Sequence, residues 1–277
     1  MIGQKRFKDI VELLISNHSF PRFCIITGPV GSGKKTMCDW ICEVFKKYVA
    51  NCLIYKLPDV KIDSIREMTT TSYQATQPMI YIMQDADNMS VQAKNSLLKV
   101  TEEPPNNAYF LMTLESADLT LDTIRSRATI YNMDNYTQEE LKEYAIRSHN
   151  ATPEELTILL DICNVPGDVD ILYKDGPKQF YDYVVKVVDN IAEVEGSNVF
   201  KISDKLAVKQ DSEGYDVKLF LRIFMSICVQ RMKEEPLRFA TAVSITSKYM
   251  SQLGIRGISK QMLLDNWMLE IRKYWLR

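Results

Sequence analysis

Apolar residues recur at helical spacing over residues 7–17 (FKDIVELLISN), and an unbroken apolar run follows at 23–27 (FCIIT). The first pattern predicts an amphipathic helix, because positions three and four apart share a helix face. The second is short, β-rich and ends at a glycine, which predicts a buried strand. The alternation then continues. Residues 34–48 read as helix, 52–57 (CLIYKL) as strand, 61–68 (KIDSIREM) as helix and 79–83 (MIYIM) as strand. A helix is expected over 90–102, with Ser90 as its N-cap. Strands are expected at 108–114 (AYFLMTL) and 128–132 (ATIYN). Strands alternating with helices imply a parallel sheet covered on both faces.

After about residue 135 the strand pattern stops and nearly everything reads as helix. Thr137 with Glu140 three residues later forms a capping-box signature. The strongest internal breaks fall at Asn164–Gly167 and Asp175–Pro177. Two long stretches, YDYVVKVVDNIAEV and YDVKLFLRIFMSICVQRM, carry apolar faces at helical spacing. The expected organisation is an α/β domain over 1–134, a small helical domain over 135–175 and a larger helical domain over 176–277.

Composition narrows the function. The 277 residues are 46% hydrophobic, with 34 basic and 36 acidic side chains and a formal charge of −2. A free-standing nucleic-acid binder usually carries a basic excess that neutralises phosphates. Contact with DNA is therefore expected to be local or shared with partner chains. Charges interrupt the N-terminal MIGQKRFKDIVELL, unlike a secretory leader, and no apolar run approaches the roughly 20 residues of a membrane helix. A soluble, cytoplasmic protein is expected, with no membrane partner. The six cysteines form no CxxC pair, and the two histidines lie far from the closely spaced Cys38 and Cys42, so no zinc site is expected and the thiols read as small buried side chains.

The chemistry concentrates at residues 28–36, GPVGSGKKT. Gly28, then four residues, then Gly33-Lys34, matches a phosphate-binding loop between a strand and a helix. Glycines, here including Gly31, let backbone N–H groups converge on phosphate. The helix end adds partial positive charge, and Lys34 reaches the terminal phosphates. ATP or ADP is the expected ligand class. The next position usually holds a Ser or Thr hydroxyl for Mg²⁺; here it is Lys35, with Thr36 one place later. The strand MIYIM runs into Gln84-Asp85-Ala86-Asp87. Gln84 falls where a metal-binding Asp is expected, and Asp85 falls where a glutamate orients the attacking water. With both metal ligands altered, Mg²⁺ is not an expected cofactor and efficient hydrolysis is not expected. Asp85 and Asp87 read equally well as carboxylates beside the positive end of a helix.

Residues 92–107, QAKNSLLKVTEEPPNN, make the pattern specific. Asn95, Leu97, Leu98, Lys99, Glu102, Glu103, Pro104 and Pro105 match an N-x-L-L-K-x-x-E-E-P-P segment. With Ile65-Arg66-Glu67 before it and Ser126-Arg127 after it, the chain resembles the bacterial clamp-loader subunits, most of all the delta-prime subunits of DNA polymerase III. Gly3 and Gln4 match a Gly-Gln pair near that family's N-terminus. The resemblance covers residues 3–175. It implies an AAA+ P-loop domain, a helical lid, and a helical collar that joins subunits in a ring. The implied partners are other loader subunits, a sliding clamp, and primed DNA reached through the assembly. It also implies that Arg127 is an arginine finger acting on a neighbour's ATP, although the cysteine of the family's Ser-Arg-Cys motif is Ala128 here. Arg125 is the alternative. Thr113 matches a polar sensor of the terminal phosphate. A second sensor arginine is replaced by Asp170 in Gly167-Asp168-Val169-Asp170. Three readings stay open: a nonmotor subunit with a degenerate site, an ATP-hydrolysing motor subunit of the same loader, and a P-loop small-molecule kinase. The kinase needs an arginine-rich lid, and the helices after residue 135 show no such cluster.

Overall fold

The computed structural model describes residues 2–191, 216–253 and 259–275. The chain divides into two compact units, Met1–Glu140 with Val165–Gly167, and Leu141–Asn164 with Asp168–Arg277.

The first unit is built on a five-stranded parallel sheet, in the order β2-β3-β4-β1-β5. The strands are β1 (Phe23–Thr27), β2 (Leu53–Lys56), β3 (Met79–Met83), β4 (Ala108–Leu114) and β5 (Thr129–Asn132). The central strands are apolar except for Thr27 and Thr113 near their carboxyl ends, because both of their faces are covered. Strand alternation sorts their side chains between two cores. Cys24, Ile26, Ile80, Ile82 and Leu111 pack under α1 (Lys5–Ser16) and α2 (Lys34–Tyr48). Phe23, Ile25, Tyr81, Met83, Phe110 and Met112 form the opposite core, with α3 (Ile62–Ser72), α4 (Val91–Ser96), α5 (Leu98–Glu102) and α6 (Asp122–Arg125). There Phe110 stacks against Phe23 and Tyr81, at centroid separations of 5.7 and 5.4 Å. The edge strand β2 is mostly exposed.

Each predicted strand and helix of this unit is present within a few residues. The single helix expected over 90–102 is instead two. Ser90 caps α4 by accepting from the Ala93 N–H. The helix then tightens at its end, where Leu97 N–H bonds to the Lys94 carbonyl. The Ser96 carbonyl takes the Thr69 hydroxyl of α3 instead of continuing the ladder.

The second unit is helical. It contains most of α7 (Gln138–His149), then α8 (Pro153–Ile162), nearly all of α9 (Pro166–Asp175), α10 (Pro177–Asn190), α11 (Val217–Arg231), α12 (Pro236–Met250) and α13 (Lys260–Trp275). The expected capping box is formed: Thr137 and Glu140 exchange side-chain to backbone bonds of 3.2 and 2.9 Å. The predicted breaks separate α8 from α9 and α9 from α10, where Pro166 and Pro177 each open a helix as proline does best. The helical readings of residues 192–194 and Tyr215 lie outside the described residues. One continuous core runs from Ala145 to Trp275. At its centre Trp267 is fully buried between the edges of Phe220 and Phe224. Its indole N–H donates to Thr246 Oγ1 at 2.9 Å.

Candidate phosphate-loop site and adjoining arginine

The loop joining β1 to α2 leaves the carboxyl end of the sheet beside β4 and β5, where α/β proteins place their ligands. Gly31 and Gly33 have φ of +79° and +87°, a region that costs other L-residues about 1–2 kcal/mol. Gly31 has a second constraint. Residues Val165–Gly167 belong to the first unit, and Gly167 N–H donates to the Gly31 carbonyl at 3.0 Å. A Cβ on Gly167 would lie 2.5 Å from Gly31 Cα.

Within the loop, Ser32 is 1% exposed and its buried Oγ has no hydrogen-bond partner. That hydroxyl lies 3.0 Å from where a Gly28 Cβ would sit, so it points into the loop interior. Lys34 is 7% exposed and folds back, donating to the Gly28 and Pro29 carbonyls at 2.6 and 2.9 Å. Burial pulls the Lys34 ammonium below the ordinary lysine range, against the opposing pull of Asp87, Glu115 and Asp85. Thr36 is exposed on α2.

Lys35 and Asp85 come together, with Nζ 2.5 Å from Oδ2. Asp85 has φ +52° and does not cap the short turn after it; its backbone N–H donates to Thr113 Oγ1 at 2.9 Å. Thr113 is fully buried. Asp87 accepts the Glu115 N–H at 2.5 Å, tying the turn after β3 to the end of β4. The residues that should hold Mg²⁺ do not fit a divalent cation. A hard cation needs several oxygen ligands; here an ammonium stands at the hydroxyl position and pairs with Asp85, and Gln84 offers a neutral amide oxygen in place of a carboxylate. Among the described residues, no group of three or more His, Cys, Asp or Glu side chains is gathered that could hold a metal ion.

Around this loop runs a support that the sequence motifs did not reveal as one. Gln4 is buried and clamps the Asp134 backbone, with Nε2 to the carbonyl at 2.7 Å and the N–H to Oε1 at 2.8 Å. Tyr136, two residues on, donates its hydroxyl to the Ser32 carbonyl at 2.8 Å. Gly3 allows the Tyr136 ring to approach; a Cβ there would meet the ring at 2.9 Å.

Arg127 lies just after α6 and is 41% exposed. Nη1 donates to the Thr123 carbonyl at 2.9 Å, and Nη2 lies 3.4 Å from Glu102 Oε1, a carboxylate of the E-E-P-P segment. Arg125 is more fully paired, with both Asp118 and Asp122. In the second unit, Asp170 accepts the Tyr144 hydroxyl at 2.8 Å and lies 2.8 Å from His149 Nε2. Its carboxylate is thus absorbed into local helix packing.

Residues 13–137 match a family described as DNA polymerase III, delta subunit. The chain is 31% identical over 100 residues to DNA polymerase III subunit delta' of Haemophilus influenzae, covering 35% of this chain and 30% of that protein. It is 34% identical over 88 residues to the subunit delta' of Buchnera aphidicola, covering 31% and 26%. The matched region thus spans less than a third of either relative. A DNA polymerase III gamma subunit-related protein from Thermotoga maritima has a similar structure, with a TM-score of 0.54 over 95% of this chain and 99% of that one. At 17% identity that likeness establishes the fold. Motifs and matches agree that residues 13–137 are similar to the delta-prime subunits of DNA polymerase III, and the sheet order and structural likeness show the AAA+ fold.

Proposed function

We propose that the chain is a nonmotor subunit of a DNA polymerase III-type clamp loader, and that Arg127 completes the ATP site of a neighbouring subunit. The observation that carries this reading is the state of Arg127. It is substantially exposed and held by one carbonyl and one carboxylate at 3.4 Å, next to the family's E-E-P-P segment. A guanidinium delivered to the transferring phosphate stabilises the charge that develops there. Arg125, bound by two carboxylates, is the poorer candidate.

Its own site supports a passive role in hydrolysis, because Lys35 replaces the metal-binding hydroxyl and pairs with Asp85, and Gln84 replaces the metal-binding carboxylate. In this reading α7, α8 and α9 belong to the lid over 135–175, and α10 to α13 form the collar over 176–277 that contacts other subunits. The assembly opens a sliding clamp and places it on primed DNA. Among the described residues no helix is long and apolar enough to cross a membrane, which is compatible with work in the cytoplasm. The motor-subunit reading keeps Lys34, but it must break the Lys35–Asp85 pair to recruit a metal.

Subunits that co-purify with the tagged full chain would be identified by mass spectrometry and used to reconstitute the loader. Arg127→Ala should then lower the ATPase at the site it serves by roughly a thousandfold or more, while the isolated parent chain hydrolyses nothing measurable. An unchanged loader rate with Arg127→Ala would remove the finger assignment. Robust Mg²⁺-dependent turnover by the chain alone would favour the motor reading.

A further inference from the structure

Metal-dependent phosphate loops place a hydroxyl after the lysine and an Asp at the end of the neighbouring strand. This chain changes both positions, and the changes are complementary. Lys35 in place of a hydroxyl adds one positive charge. Gln84 in place of a carboxylate removes one negative charge. Together they shift the site by the same amount as a bound divalent cation. The phosphate-binding parts are still in place. The 15-residue helix α2 begins at Lys34, and its Gly33 cap supplies no side chain for the first N–H groups, which therefore have no intrahelical partner. The Ser32 hydroxyl points into the loop, buried and without a partner. A buried hydroxyl of this kind normally has one, and a phosphate oxygen supplies it.

We propose that this loop binds the phosphates of a nucleoside diphosphate or triphosphate without a divalent cation, with the Lys35 ammonium supplying the charge that Mg²⁺ supplies elsewhere. Lys34 leaves the Gly28 and Pro29 carbonyls and turns to the phosphate, exchanging neutral acceptors for a charged one. Asp85 holds Lys35 at the mouth of the loop and is itself held by Thr113. Nucleotide in this site has a structural part to play, since Asp85, at the position that orients water in hydrolysing sites, is engaged by Lys35. The inference does not depend on Arg127.

Binding of a fluorescent ADP to the full chain would be measured in EDTA and in Mg²⁺ at matched ionic strength. The two dissociation constants should agree within about twofold, and Lys34→Ala should weaken both by about tenfold or more. The double variant Lys35→Thr with Gln84→Asp should bind at least about tenfold more tightly in Mg²⁺ than in EDTA. If that variant does not fold, Lys35→Met gives the same information, by weakening binding about tenfold in EDTA. Parent binding that requires Mg²⁺, or no binding at millimolar ADP in either buffer, overturns the proposal. Neither result bears on the Arg127 assay in the reconstituted loader.

Discussion

Replacing Gln4 removes a clamp whose two ends are 130 residues apart in sequence. Gln4 gives one hydrogen bond to the Asp134 carbonyl and takes one from the Asp134 N–H, at 2.7 and 2.8 Å, from a side chain that is 4% exposed. In Gln4→Ala both backbone groups lose their partner. Each such loss costs about 1–3 kcal/mol, and partial hydration of the segment brings the pair to about 2–4 kcal/mol. Gln4 has φ +55°, a strain that alanine inherits and glycine does not. Gln4→Gly should therefore be less damaging than Gln4→Ala by about 1 kcal/mol. Gln4→Glu keeps the acceptor, but at neutral pH it sets a carboxylate with no hydrogen against the Asp134 carbonyl. It should recover toward the parent in acid, where the carboxyl can donate. A chain of two units has no single unfolding free energy, so the measurement should be local. Hydrogen exchange of the amides over residues 129–137, followed by mass spectrometry, reads the opening of β5 and its continuation. Exchange in Gln4→Ala within about 0.5 kcal/mol of the parent would refute the reasoning. Because Tyr136 also supports the Ser32 carbonyl, the same variant should raise exchange in the phosphate loop.

Two further predictions concern buried charge and buried thiols. Arg222 and Asp168 pair with side chains 19% and 14% exposed, so Arg222→Met should cost about 3–5 kcal/mol in urea unfolding of the second unit; Arg222→Met with Asp168→Asn should recover part of that, and equal losses would show that the pair is not the cause. Burial pushes the Cys38, Cys42, Cys163 and Cys228 thiols up to about 12. The folded chain then holds these protons more tightly than the unfolded chain. Their contribution is complete below the unfolded thiol value of about 8.5 and is lost as pH rises toward 12, by up to about 1.4 kcal/mol per pH unit for each thiol. Urea midpoints should fall steadily above about pH 9, and at pH 8 iodoacetamide should label the partly exposed Cys52 first; a flat alkaline profile with early labelling of Cys38 would contradict the burial argument.

Strands β1, β3 and β4 were legible because a strand covered on both faces must be largely apolar, and glycines or prolines punctuate their ends. The helix breaks at 164–167 and 175–177 were legible for the same local reason. The break at Leu97 was not, because the residues around it keep helical spacing and the α3 hydroxyl that meets the Ser96 carbonyl there is distant in sequence. At the site, motif register located Lys34, Lys35, Asp85 and Thr113 individually. It did not reveal that Lys35 and Asp85 touch, since that contact needs the strand order. Gln4 was matched by motif alone, and its work on Asp134 becomes visible only once the sheet brings the ends of the first unit together. Ser32 could have been singled out as a small hydroxyl between two glycines, while Tyr136 carried no sequence signal at all.

The order β2-β3-β4-β1-β5 has a consequence for how the chain is made. The strand synthesised first occupies an interior position, between β4 and β5. On the ribosome, β1 must wait for about 90 more residues before its first partner is complete, roughly 4–18 s at ordinary elongation rates. Throughout that interval FCIIT presents two unpaired edges and two apolar faces, the features that invite wrong pairing. The nascent chain from residue 23 to residue 114 is therefore the window in which a chaperone or slowed translation would most affect yield.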